Sequence, residues 1–147
     1  MSALALLRPT EWELPLFFHV LGAMVMTGAT LLALTALAAA WRSDDAGALR
    51  LGYRALLLGA LPGWLVMRVF AQITLDESPF DEDSAWVDIG FIASEPFLLP
   101  LVAATVLAGV SARRAAGGTR VRVAVALSAL LLVVYAVAIW AMTTKPE

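Results

Sequence analysis

Four long apolar stretches, separated by short charged ones, organise this 147-residue chain. The first, 14–41, runs 28 residues with His19 as its only ionisable group. At ~1.5 Å per residue a helix of that length reaches roughly 40 Å, enough to cross a ~30 Å hydrocarbon core with tilt. The second, 51–75, is interrupted by Gly59, Pro62, Gly63 and Arg68. The third, 86–110, contains Asp88, Glu95, Pro96 and Pro100; the fourth, 123–142, is uncharged for 20 residues. The pattern predicts an all-α membrane protein, a single four-transmembrane-helix bundle with kinked second and third helices. Arg42–Gly47, the acidic run Asp76–Ala85 and the arginine-rich 113–122 connect the spans. Spans and loops account for the chain, leaving no stretch for a separate soluble domain.

Direction follows from the basic residues. Arg42, Arg50 and Arg54 lie in or beside the first loop, and Arg113, Arg114, Arg120 and Arg122 in the third. The other side carries only Arg8, Lys145 and the all-acidic second loop. Seven against two places loops one and three in the cytoplasm, with both termini and the acidic loop outside. Trp12, Trp86 and Trp140 then mark an outer aromatic belt and Trp41 an inner one. Thr10 and Glu13 have capping-box spacing at the start of the first span. A cleaved signal peptide is disfavoured there, because the run is too long and its positive charge follows it.

Composition narrows the class. Apolar residues make up 61% and charged ones 15%, against roughly half and a quarter in a soluble domain. There is no cysteine, which removes disulfides, iron–sulfur clusters, thioether-attached haem and thiolate metal sites. Nine of the ten basic residues are arginine and alanine is abundant, which suggests a bacterial source with GC-rich DNA and hence the plasma membrane. The expected partners are the lipid bilayer and either further copies of the chain or a larger membrane complex, not nucleic acid.

The candidate chemistry sits within the spans. Arg68 cannot be deprotonated, so inside an apolar run it needs a partner or water. Glu95 in the third span is the expected partner. Counted from the outer belt at ~1.5 Å per residue, His19 and Arg68 lie about 10 Å deep, Tyr135 about 12 Å and Glu95 about 13 Å. One polar or ionisable residue from each helix thus falls in one layer of the outer half. Trp64 and Gln72 flank Arg68 four residues either side, and Asp88 lies two turns before Glu95. The six residues Arg68, Glu95, His19, Tyr135, Gln72 and Trp64 form the expected ligand-binding cluster, with no catalytic set among them. A structural ion pair between Arg68 and Glu95 is the plain alternative. His19 is expected to be neutral and to donate to a carbonyl or to Glu95, and Tyr135 to have its hydroxyl satisfied in the core. Pro62, Pro96 and Pro100 free the carbonyls of Leu58, Ile92 and Pro96, which either coordinate a cation or simply accompany kinks. Gly59 and Gly63 permit close helix approach. The acidic loop lacks the alternation of a calcium loop and reads as solvated.

The stretch Phe18-His19-Val20-Leu21-Gly22-Ala23, followed by Gly28, resembles the opening of CopD-like small integral membrane proteins. The segments LPGWLVMRVFAQ and WVDIGFI are similar to actinobacterial four-helix proteins of that type. The resemblance implies copper handling outside the cytoplasm, with His19 as the metal-facing residue. The chain departs from the pattern in its single histidine and in Met24-Val25-Met26-Thr27, where a tryptophan-containing stretch often stands. Met24, Met26 and Met67 are available soft ligands.

Three functions compete. The leading one is a non-enzymatic accessory subunit or small-ligand binder, with Arg68 as anion anchor for a polar headgroup. The second is a redox or metal-handling protein with copper or haem b; a lone His19 restricts haem to a His/Met pair or to sharing between chains. The third is a small proton-coupled transporter, acting as a dimer through Glu95 or His19.

Overall fold

The computed structural model describes residues 13–77, 85–114 and 118–144. The Thr10–Glu13 pairing, Trp12, and Asp81, Glu82 and Asp83 lie outside the described residues, as does the side chain of Trp86. The described elements are all helical: α1 (Glu13–Ser43), α2 (Ala46–Ala55), a π turn (Leu56–Ala60), α3 (Leu61–Glu77), α4 (Ala85–Ser94), α5 (Leu98–Arg114) and α6 (Thr119–Thr144). α2, the π turn and α3 run on as one unit, and α4 and α5 are parted only by residues 95–97. This leaves four helical units long and apolar enough to cross a membrane.

Helices overrun the apolar stretches where local chemistry favours them. The expected turn over Arg42–Gly47 shrinks to Asp44 and Asp45. Asp44 takes the left-handed backbone (φ 51°), which a short polar side chain tolerates. The Asp45 carboxylate accepts from the Gly47 N–H at 2.7 Å and the Ala48 N–H at 3.2 Å, so α2 starts at Ala46 rather than near Leu51.

The prolines act differently from one another. Ahead of Pro62 the π turn shifts the hydrogen-bond register, and the Leu61 N–H donates to the Leu56 carbonyl. Pro96 sits in the gap between α4 and α5. Pro100 lies in the first turn of α5, where its missing N–H would have no helical partner anyway. The Pro96 carbonyl, expected to be free, accepts from the Leu99 N–H at 3.3 Å. Pro100 therefore helps to start a helix instead of breaking one.

Two ends of the bundle differ in charge. All seven loop arginines are exposed at the end where α1 and α5 finish and α2 and α6 begin. Arg122 lies over the Trp41 ring there, 5.1 Å from its centroid. The opposite end, the termini end, is where α1 starts and α6 finishes. α1 packs against span two on one side and α6 on the other, α5 packs on α6 and α2, and α4 rests on α6. α3 and α4 scarcely pack against each other, so the bundle is split between them towards the termini end.

Packing places small residues inside and large ones outside. Ala33, Ala36, Ala60, Ala104, Ala108 and Ala124 are buried, while Phe17, Met24, Leu58, Ile92, Leu99 and Val133 are exposed. That arrangement fits a lipid surround, where close helix contact, not expulsion of leucine from solvent, drives association. Leu37, Leu56, Leu101 and Leu131 fill the centre. The tightest crossing joins Gly22 of α1 to Gly63 of α3. A Cβ on Gly22 would lie 2.5 Å from the Met67 nitrogen, and one on Gly63 2.7 Å from the Met26 nitrogen.

Gly22→Ala and Gly63→Ala are therefore expected to lower stability by about 1–3 kcal/mol each. Gly28, with nothing within 4 Å of its Cβ position, is the control. Gly28→Ala should hold or raise stability, by up to about 1 kcal/mol from helix propensity. Thermal melting in detergent reads all three, and equal midpoints would rule out the close crossing.

Candidate functional site

Trp64, Arg68, Gln72 and Asp76 recur every four residues and form a row along α3. Pro96 ends α4, which leaves Glu95 in the gap with its side chain free to reach that row. Arg68 Nη2 donates to Glu95 Oε1 at 2.6 Å, and Nη1 donates to Gln72 Oε1 at 3.3 Å. Gln72 Nε2 donates in turn to Asp76 Oδ1 at 3.0 Å. The guanidinium also lies over the Phe91 ring, 4.8 Å from its centroid. One turn deeper, Trp64 Nε1 donates to the Ser94 carbonyl at 2.9 Å. Two polar bridges thus span the split between α3 and span three.

This charged row is on the surface of the bundle. The Arg68 side chain is 21% exposed and that of Glu95 55%. Asp88 is exposed and makes no hydrogen bond or ion pair among the described residues, so it does not join the row.

His19 faces elsewhere. Its Nδ1 lies 2.9 Å from the Met67 carbonyl, one residue from Arg68. A carbonyl can only accept, so Nδ1 carries the proton in this contact. The imidazole lines a cavity of about 50 Å³ among α1, α3, α4 and α6. Ala23, Met26 and Thr27 join it from α1, Met67 from α3, Gly90, Ala93 and Ser94 from α4, and Tyr135, Ala138, Ile139 and Met142 from α6. At roughly 10–15 Å³ per probe-sized water, the space suits about three waters or one small ligand.

Two of the cavity's side chains are poorly satisfied. Thr27 Oγ1 and Tyr135 Oη are buried and lack a hydrogen-bond partner. The expectation that the core would satisfy the Tyr135 hydroxyl is thereby corrected. Helix α6 offers it only apolar neighbours along its own face, Ala138, Ile139 and Met142. Buried hydroxyls are nearly always paired, so two idle ones at one cavity mark it out.

The six expected residues fall into two groups. His19 meets Met67, and Arg68 meets Glu95. Azimuth divides the layer in two. Arg68, Glu95 and Gln72 stand on the surface at the split; His19 and Tyr135 stand inside, and Trp64 touches the boundary through Ser94. Thr27 and Met142 are absent from the expected set, although both were within reach of it. Thr27 is eight residues from His19 and Met142 seven from Tyr135, on the same helix faces.

As for metals, no group of three or more His, Asp or Glu that could hold an ion occurs among the described residues. Soft donors do converge: Met26, Met67 and Met142 line the cavity with His19, whereas Met24 is 67% exposed on the outside. The cavity is far below the roughly 300 Å³ of an ordinary cofactor pocket, so haem b does not fit it. No family model matches the chain, and neither curated proteins nor solved structures yield a match.

A double-mutant cycle tests the Arg68–Glu95 pair. Arg68→Leu and Glu95→Leu should each destabilise more than the double substitution, by up to about 1 kcal/mol, the range of a partly exposed ion pair, because each leaves one charge without its partner. Additive losses on thermal melting would show that the charges do not interact.

Proposed function

We propose that the chain is a multi-pass protein of the bacterial plasma membrane that binds a small ligand in the His19–Tyr135 cavity, without catalysing a reaction. The four apolar helices and their outward-facing large side chains support the membrane placement. In this reading the arginine end is cytoplasmic, both termini are outside, and the spans bend at the π turn and at 95–97. The cavity then lies in the outer half.

The observation that carries the proposal is the coincidence of two unsatisfied hydroxyls, those of Thr27 and Tyr135, with the His19 ring at one cavity. No carboxylate or guanidinium lines the space. A ligand there is uncharged and polar, or a soft cation of low charge. Backbone contact at Gly22 and Gly63 holds α1 and α3 in place, so the site is preorganised. The chain serves as a binder or as an accessory subunit of a larger membrane complex.

Copper is the second reading, favoured by the convergence of Met26, Met67 and Met142 on His19. Thioethers and a neutral imidazole suit Cu(I) better than hard cations. His19 Nε2 would be the nitrogen ligand, with the Nδ1–H to the Met67 carbonyl fixing the ring, as such outer contacts do for ligating histidines. The CopD-like resemblance also points to His19. Bound there, copper would be held or passed on, without a protein-based redox step.

Orientation can be read on a cysteine-free background. Ser78→Cys should react with an impermeant maleimide on intact cells, and Gly117→Cys only after lysis; the reverse pattern would invert the topology. For the cavity, the sign of one substitution decides. With a ligand bound, Tyr135→Phe loses a hydrogen bond and lowers the stability of the purified protein by about 1 kcal/mol. With an idle hydroxyl, the change is neutral or stabilising, and the ligand-binding reading fails. Cu(I) titration against a chelator separates the two ligands: tight uptake that weakens at least tenfold in His19→Ala supports copper, and no uptake removes it.

A further inference from the structure

We infer that the Arg68–Glu95 pair is a second site, separate from the cavity, for a phospholipid whose zwitterionic headgroup carries a primary ammonium, the phosphoethanolamine type. The inference rests on the membrane placement proposed above, not on the cavity ligand.

Depth comes first. Span two, Ala46–Asp76, has 31 residues and a helical length of about 46 Å. Centred on a ~30 Å hydrocarbon core, it leaves about 8 Å beyond each face. Arg68 is eight residues from Asp76, about 12 Å, so its Cα lies about 4 Å inside the core. A side chain of that length reaches the phosphate and glycerol level by extending towards the termini end.

Charge selects the headgroup. Arg68, Glu95 and Asp76 are linked through Gln72, and together they sum to −1. A plain anion at Arg68 would meet two carboxylates, and a plain cation at Glu95 would meet the guanidinium. A zwitterion satisfies both. Arg68 uses two of its five N–H donors, on Glu95 and Gln72, which leaves three to donate to phosphate oxygens. Glu95 engages only Oε1 and its side chain is 55% exposed, which leaves Oε2 to accept from an ammonium.

The surroundings suit acyl chains. α3 and α4 scarcely pack against each other, and the pair bridges the mouth of that split. Leu65 and Val69 on α3 and Ile92 and Leu99 on span three, within four residues of Arg68 or Glu95 in the chain, are exposed. A headgroup at the pair would lay its chains along these residues, whereas a free phosphate compound would leave them uncovered.

The test is lipid retention by purified protein in nanodiscs, read by native mass spectrometry. Wild type should retain phosphatidylethanolamine at least tenfold over phosphatidylcholine, whose trimethylated nitrogen cannot donate, and over phosphatidylglycerol, which has no cation. Glu95→Gln should lose the preference over phosphatidylglycerol. The Arg68→Leu/Glu95→Leu double variant, which removes both charges of the pair together, should lose all selectivity. Equal retention of phosphatidylglycerol by wild type would overturn the inference in favour of a simple anion site at Arg68. Displacement by soluble O-phosphoethanolamine at matched concentration would overturn lipid as the source. Unselective retention by a membrane-resident protein defeats this inference alone; failure to enter membranes defeats the placement beneath it.

Discussion

The backbone contact between α1 and α3 at Gly22 and Gly63 is the constraint on which the polar half of this bundle depends. With no Cβ on either side, the two helices approach until Met67 lies against Gly22 and Met26 against Gly63. That approach brings His19, three residues before Gly22, to the carbonyl of Met67. It also fixes the rotation of α3. With Met67 turned towards α1, Arg68 and Gln72 necessarily face the split and Glu95, because successive residues on a helix are about 100° apart. One glycine pair therefore orients both polar groups.

The split itself follows from span three. Pro96 ends α4 early, and α4 rests on α6 without closing against α3. The gap produces two environments of opposite character. Inside, facing α1 and α6, is a small cavity with hydroxyls, thioethers and an imidazole but no formal charge. Outside is an ion pair, partly exposed and extended by Gln72 and Asp76. Separation makes physical sense. A guanidinium beside the cavity would draw in water or an anion and would repel a soft cation, whereas at the surface it pairs with Glu95 and Gln72.

Particular residues show how far the chain could be read directly. Arg68 with Glu95 was legible as a pair, because a permanent charge in an apolar run has few possible partners and the depths matched. Gly63 was legible as a contact position. The Pro96 carbonyl was misread: a proline in the first turn of a new helix frees nothing, and only the position of the α5 start reveals this. The tyrosine hydroxyl was misread for a related reason. Pairing is the rule for buried hydroxyls, but whether Tyr135 meets a partner depends on which helices surround it.

What the amino-acid order determined by itself is one-dimensional: four apolar helices, the segregation of charge between their ends, and the position of each polar residue along its helix. These follow from rise per residue and from transfer free energy, both local quantities. Tertiary structure decided the azimuth. Residues at equal depth can face each other or face apart, and the choice is made by where small residues let backbones touch. The layer of six expected residues therefore became a surface pair and an internal cavity, and Thr27, Ser94 and Met142 entered only through the packing of helices on one another.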